Sequence, residues 1–229
     1  MNINLSETLL PKNWWRTHGL HLIVLFALVL LPLCLFGSIA EDVAEKEDLF
    51  FDKQFLLFIH AHATTTLDNL MVLFSRVGSG LILVPFNALI FTLLFWKKQR
   101  KNAFFWGVAV CGAALINVLA KYGFSRVRPS LWVSLMPETT FSFPSGHAMQ
   151  SMAVGTALVI LLWKTRWRYV MLFLSASFVL AVGLSRVYLG VHYPSDILAG
   201  WFASLAWVVG LRYVVINPDL FGRLSLTKR

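Results

Sequence analysis

Charge is scarce in this chain. Only 14% of its 229 residues are Asp, Glu, Lys or Arg, while 58% are hydrophobic and the mean hydropathy is +0.69. A soluble domain carries roughly a quarter charged residues. The deficit excludes an ordinary water-soluble enzyme and points to an integral membrane protein. Cysteine is also rare: Cys34 and Cys111 each lie inside an apolar run, so neither a disulfide framework nor a CxxC metal site is expected. No cluster of carboxylates of the kind that holds magnesium is evident, and His60-x-His62 offers too few ligands for a metal centre. A low-complexity linker, an internal repeat and a soluble second domain are all lacking, so residues 1–229 read as a single transmembrane domain. The net charge of +9 raises the question of nucleic acid. The basic residues, however, come in short clusters beside apolar runs, a pattern of membrane topology and not of a nucleic-acid footprint.

What is abundant is apolar sequence in long runs. Those at about 19–40, 77–96, 102–120, 148–163, 169–185 and 197–217 predict an all-α bundle of six transmembrane helices. Ser38-Ile39-Ala40 resembles a signal-peptide cleavage site, but the run before it exceeds the ~7–15 residues of a signal core, so a retained helix is expected. Residues 41–68 are acidic, and Leu49–Ala63 within them reads as a short helix lying in the interface. Pro85 predicts a kink in the second span. The last three runs fall near or below the ~17 residues needed to span a bilayer. Polar residues of a site, placed in the end turns of those helices, would account for the shortfall.

With the N-terminus inside, the cytoplasmic segments would hold Lys12, Arg16, Lys97, Lys98, Arg100, Lys101, Lys164, Arg166, Arg168, Arg212, Arg223, Lys228 and Arg229. Only Glu7 and Asp219 oppose them there. This asymmetry predicts that both termini are cytoplasmic. Trp96, Trp163 and Trp167 then share the inner boundary, as an aromatic belt does, and Trp14-Trp15 precede the first span.

Three polar clusters stand out against this background: Lys121 to Pro129, Pro144-Ser145-Gly146-His147, and Ser185 to Asp196. Helix three exits where helix four re-enters, and helix five exits where helix six re-enters. The topology therefore brings Lys121, Arg128, Ser145, His147, Arg186, His192 and Asp196 to one outer membrane face. Charged groups at such a rim are costly and mark a site. Lys121, Arg128 and Arg186 supply fixed positive charge for a phosphoryl group. Ser145 and the backbone near Gly146, at a helix N-terminus, add donors where an anion is favoured. His192, oriented by Asp196, is the expected nucleophile. His147 is the expected acid for the leaving oxygen and then the base for water. No metal or other cofactor is called for, because the lysine and arginines carry the charge that metals supply elsewhere.

These clusters read Lys-x6-Arg-Pro, Pro-Ser-Gly-His and Ser-Arg-x5-His-x3-Asp, and in that order the chain resembles the type 2 phosphatidic acid phosphatase family, the lipid phosphate phosphatases. The resemblance implies that His192 is the nucleophile, Asp196 its partner and His147 the acid. It also implies that Lys121, Arg128, Ser145, Gly146 and Arg186 bind phosphate. The small size is similar to bacterial members acting on undecaprenyl pyrophosphate or phosphatidylglycerol phosphate. The first expectation is therefore undecaprenyl pyrophosphate hydrolysis in wall-lipid recycling, at the periplasmic or extracellular side of a bacterial inner membrane. Phosphatidic acid and lipid A phosphates stay open as substrates. So do lipid-to-lipid phosphotransfer and a non-enzymatic anion transporter. The partners expected are a lipid phosphate and the bilayer, with no oligomeric state indicated. Arg126 reads as a solvated loop charge or as a contact to a second phosphate or a headgroup, and Asn117 as an orienter of Lys121 or an interhelical contact. Arg76 would snorkel or approach the site. Trp132, Phe141 and Phe143 are expected to anchor the loop at the membrane surface.

Overall fold

The computed structural model describes residue 19, residues 22–47 and residues 49–216. The expected N-terminal anchors Lys12, Arg16, Trp14 and Trp15 lie outside the described residues, as do Glu7, Asp219, Arg223, Lys228 and Arg229. The elements in order are α1 (Leu22–Ala44), α2 (Phe50–Ala61), α3 (Thr65–Val77), α4 (Gly80–Trp96), α5 (Arg100–Phe124), α6 (Gly146–Leu162), α7 (Arg168–Tyr188) and α8 (Pro194–Ile216). Among the described residues all regular structure is helical. Helices α1, α5, α7 and α8 are each long and apolar enough to cross a membrane, and the α3–α4 pair, bent by 41°, is a fifth candidate. Helix α6 is apolar but has 17 residues.

The run expected at 77–96 differs from the structure in its bend. Helix α4 continues through Pro85, and the change of direction falls at Gly78-Ser79, where the chain leaves the helix between α3 and α4. At three of the other expected spans the helices extend past the apolar runs. Helix α5 reaches Phe124, α7 reaches Tyr188 and α8 starts at Pro194. Hydropathy undercounts these helices because Lys121, Arg186 and Asp196 sit in their terminal turns.

Small residues bring the central helices together, as close packing in lipid requires. Ala109 and Ala113 of α5 and Ala153 and Ala157 of α6 are fully buried with Phe105, Trp106 and Val208. At Gly112 an added Cβ would lie 2.3 Å from the Trp207 ring, and at Gly183 it would lie 2.3 Å from Trp201. Each glycine thus makes room for an indole from α8. Large apolar side chains such as Leu81 and Phe173 point outward, as on a surface that meets acyl chains.

The acidic segment contributes more than a surface helix. Helix α2 exposes Phe50, Phe51, Phe55 and Phe58, yet Leu56 packs under it against Ala148, Val187 and Ile197, and Asp52 is buried. Phe143 departs from its expected surface role. It is completely buried, with its ring 4.9 Å from Phe124 and 6.1 Å from Phe36, because the chain turns inward there to reach α6.

Candidate active site

Four helix ends and the two loops that join them bring the polar residues together. Lys121 occupies the last turn of α5, and Ser125 then takes a left-handed conformation that releases the chain into the loop before α6. Ser145 caps α6: its Oγ accepts from the Ala148 N–H at 3.5 Å. Arg186 lies in the last turn of α7, and Gly190 (φ +69°) turns the chain against the Trp132 ring, which leaves no space for a side chain there. Pro194 begins α8, and Asp196 reaches back to accept from the Tyr193 N–H at 2.9 Å, closing that terminus like a capping box. The Ser145 N–H donates to the Asp196 carbonyl at 3.1 Å, tying the start of α6 to the start of α8.

The state of His192 follows from its two neighbours. Arg128 Nη1 stands 3.0 Å from His192 Nε2, and a guanidinium can only donate, so Nε2 keeps its lone pair. The ring proton is then on Nδ1, which donates to Asp196 Oδ2 at 3.3 Å. Burial pushes the His192 pKa down to about 3 against the raising effect of Asp196, with Arg128 and Arg186 adding to the drop. At neutral pH the ring is uncharged and its unprotonated nitrogen accepts from Arg128.

Those cations are held from outside the motifs that contain them. Lys121 Nζ donates to Thr140 Oγ1 at 2.7 Å. Arg128 donates to the carbonyls of Thr140 and Val191, both at 2.6 Å. Arg186 is fully buried and donates through Nη1 to Ser75 Oγ and through Nη2 to Glu138 Oε1, the latter at 2.6 Å. The other Glu138 oxygen lies 4.0 Å from Arg128 Nη2. A loop carboxylate therefore bridges the two arginines where an anion is attracted. Two buried nitrogens at this place, Arg186 Nε and His147 Nε2, have no hydrogen-bond partner among the described residues. His147 lies within electrostatic reach of Arg186, His192, Lys121 and Arg128.

His147 also opens onto a second space. A cavity of about 700 Å³ runs between α4, α5 and α6, lined by Val84, Phe91, Val110 and Ala114 along its length and by Asn117, Gly146 and His147 at its end. The eight residues expected at the site thus converge on one end of the bundle, with a largely apolar cavity beside His147.

Several neighbouring residues differ from expectation. Arg126 is no solvated loop charge: it donates to Asp196 Oδ1 at 2.6 Å and to Asp52 Oδ2 at 2.8 Å, over the face of Tyr193. Although burial opposes its charge, Asp196 and Asp52 outweigh that and hold the guanidinium above its ordinary range. Asn117 donates to the Pro144 carbonyl at 2.9 Å, which holds the turn before α6, and to Met149 Sδ of α6 at 3.3 Å, an interhelical contact. Arg76 is exposed at the end of α3, and His60 stacks on Trp132 with ring centroids 4.1 Å apart. Sequence reasoning missed Asp52, Ser75, Glu138, Thr140 and Ser142, the last donating to Asp196 Oδ2 at 2.5 Å. None of them has a spacing signature. A buried position inside the acidic 41–68 segment is the only trait that separates Asp52 from its exposed neighbours.

The PAP2 superfamily profile matches residues 102–218. The chain is 32% identical over 187 residues to an undecaprenyl-diphosphatase of Sulfolobus acidocaldarius, a match covering 79% of this chain and 86% of that one. It is 28% identical over 144 residues to phosphatidylglycerophosphatase B of Bacillus subtilis, covering 61% and 70% respectively. The fold is also that of a crystallised transmembrane PAP2-type phosphatidylglycerolphosphate phosphatase from Bacillus subtilis. The TM-score is 0.70 at 21% identity, covering 86% of this chain and 98% of that one.

Proposed function

Because the chain belongs to the PAP2 superfamily, we propose that it is a membrane lipid phosphatase whose preferred substrate is a polyprenyl diphosphate such as undecaprenyl pyrophosphate, cleaved through a phosphohistidine at His192. The observation that carries this reading is the contact between Arg128 Nη1 and His192 Nε2, which marks Nε2 as the unprotonated nitrogen and sets it beside a cation that substrate phosphate would draw away. In the first step Nε2 bonds to phosphorus while the bond from phosphorus to the leaving oxygen breaks, and His147 protonates that oxygen. Asp196 stabilises the positive charge that develops on the ring. Lys121, Arg128 and Arg186, with Ser145 and the backbone at Gly146, hold the equatorial oxygens. In the second step His147 takes a proton from water, the water oxygen bonds to phosphorus and the N–P bond breaks, which restores the neutral ring and releases inorganic phosphate.

The apolar cavity supports a lipid substrate. An alkyl chain lying in it brings its head to His147, so the lipid half of the substrate becomes the leaving group. The similarity to the Sulfolobus diphosphatase supports a diphosphate as first choice, and that to phosphatidylglycerophosphatase B supports phosphatidylglycerol phosphate as the second. For the fold in the membrane the proposal is six spans, α1, α4, α5, α6, α7 and α8, in one domain. Both termini are cytoplasmic and the site lies at the outer face of a bacterial inner membrane.

The test is phosphate release by the protein purified in detergent. The substrates are undecaprenyl pyrophosphate, phosphatidylglycerol phosphate and phosphatidic acid. Release is expected to be fastest from the diphosphate, to resist EDTA, to be inhibited by vanadate and to vanish in His192→Ala. A His192→Ala variant that keeps the normal rate refutes the nucleophile, and a faster rate on phosphatidylglycerol phosphate refutes the substrate.

A further inference from the structure

The starting point is a pair of charges that the proposed chemistry does not use. Arg126 and Asp52 are both withdrawn from solvent, with side chains 14% and 3% exposed. Buried charges are retained only when paired and hydrogen-bonded. Here the pairing is complete and directional. Arg126 Nη1 donates to Asp196 Oδ1 at 2.6 Å and to Ser195 Oγ at 2.8 Å, while Nη2 donates to Asp52 Oδ2 at 2.8 Å. Asp52 in turn accepts from the Ser195 N–H at 2.9 Å and from its hydroxyl at 2.5 Å. The first backbone N–H groups of a helix have no partner within that helix. Asp52 therefore caps α8 from another element, and Arg126 ties that cap to Asp196.

The consequence falls on the two oxygens of Asp196. Oδ1 is taken by a permanent cation. Oδ2 is left for Ser142, Tyr193 N–H and His192 Nδ1. A carboxylate gripped on one side in this way cannot rotate, so the oxygen facing His192 is always the same one. Without Arg126, Asp196 would carry its charge on both oxygens and bind an imidazolium more strongly.

We propose that Asp52 and Arg126 are positioning residues that orient Asp196 toward His192, so that helix α2, outside the matched residues 102–218, forms part of the catalytic centre. The inference rests on His192 being the nucleophile. His192 is faced by Asp196 from α8, Arg128 from the loop, Arg186 from α7 and His147 from α6. Arg126 reaches it only through Asp196.

Full-length Asp52→Asn, Arg126→Lys and Arg126→Gln, purified in detergent, are compared with wild type and His192→Ala. The measurements are kcat and KM on a lipid phosphate, the pH profile of kcat, and thermal unfolding. A displaced catalytic partner costs on the order of 10- to 100-fold. The expected result is a loss of that order in kcat for Asp52→Asn and Arg126→Gln, with KM within about twofold. Arg126→Lys, which keeps the charge but lacks the planar fork that reaches Asp196, Ser195 and Asp52 at once, recovers part of the rate. In Arg126→Gln the acid limb of kcat moves to higher pH, because an unshared Asp196 charge favours protonated His192. Wild-type kcat in both Asp52→Asn and Arg126→Gln, with His192→Ala inactive, overturns this inference and leaves the nucleophile standing. So does a kcat loss that merely follows lost thermal stability with an unmoved acid limb. A fully active His192→Ala overturns both.

Discussion

His192 is set for its proposed task by what each ring nitrogen meets. Arg128 can only donate and Asp196 can only accept, so the tautomer is decided without reference to any substrate. This has a consequence for stability. In the unfolded chain His192 takes up a proton near pH 6.5, whereas in the folded protein it does so only near pH 3. Its contribution is therefore present above 6.5 and is lost as the pH falls toward 3, where only the unfolded state binds the proton. Thermal unfolding in detergent is expected to show falling stability over that window, less steeply in His192→Asn. Glu138 offers the second prediction at this scale. Its carboxylate holds Arg186 and borders Arg128, where an anion would sit, so substrate phosphate must displace it. Glu138→Gln is expected to tighten inhibition by phosphate or vanadate by about tenfold, equivalent to ~1.4 kcal/mol, read as a lower inhibition constant. The motif residues were legible because fixed spacing makes them so. Glu138 and Ser142 were not, since their value depends on partners that are distant in sequence, Arg186 and Asp196.

Among the helices, the polar ends and the apolar middles divide the work. Helices α5, α7 and α8 each carry a charged residue in a terminal turn, which is why hydropathy ended their spans too early. Between α4, α5 and α6 the cavity bordered by His147 is where the proposed function puts the alkyl chain. Ala114 lines it from α5 and is otherwise exposed, so a larger side chain there fills the channel without entering the core. Ala114→Phe is expected to raise KM for a long-chain lipid phosphate by about tenfold, a loss of ~1.4 kcal/mol, while a short-chain or soluble phosphate ester is turned over as before. Equal effects on both substrates would remove the channel from the binding site. The cavity itself was not legible in the sequence, because a void is a property of three helices together. Helix α2 was legible as a helix, but not as a donor of Asp52, since burial depends on what packs above it.

At the scale of the whole molecule, the prediction concerns sidedness. The proposed topology puts the α4–α5 turn in the cytoplasm and the loop before α6 outside. With Cys34 and Cys111 replaced by alanine, single cysteines at Gln99 and at Pro137 are expected to react with a membrane-impermeant maleimide from opposite sides of intact cells or spheroplasts. Pro137→Cys labels without permeabilisation, and Gln99→Cys labels only after it. Labelling of both from the same side would break the six-span arrangement, and the opposite pattern would reverse it. Composition and the order of apolar runs were enough to determine a helical membrane protein, and three spaced motifs were enough to nominate the residues that now meet at one end. Both kinds of information are local or periodic, and so survive in a linear text. Only the tertiary structure decided that Arg126 is a buried clamp between two carboxylates, that Phe143 is core, and that Glu138 lies against the arginines. Each of these depends on which surfaces are removed from solvent when distant segments pack, and the free energy of a charge or a ring is set by that environment and not by its place along the chain.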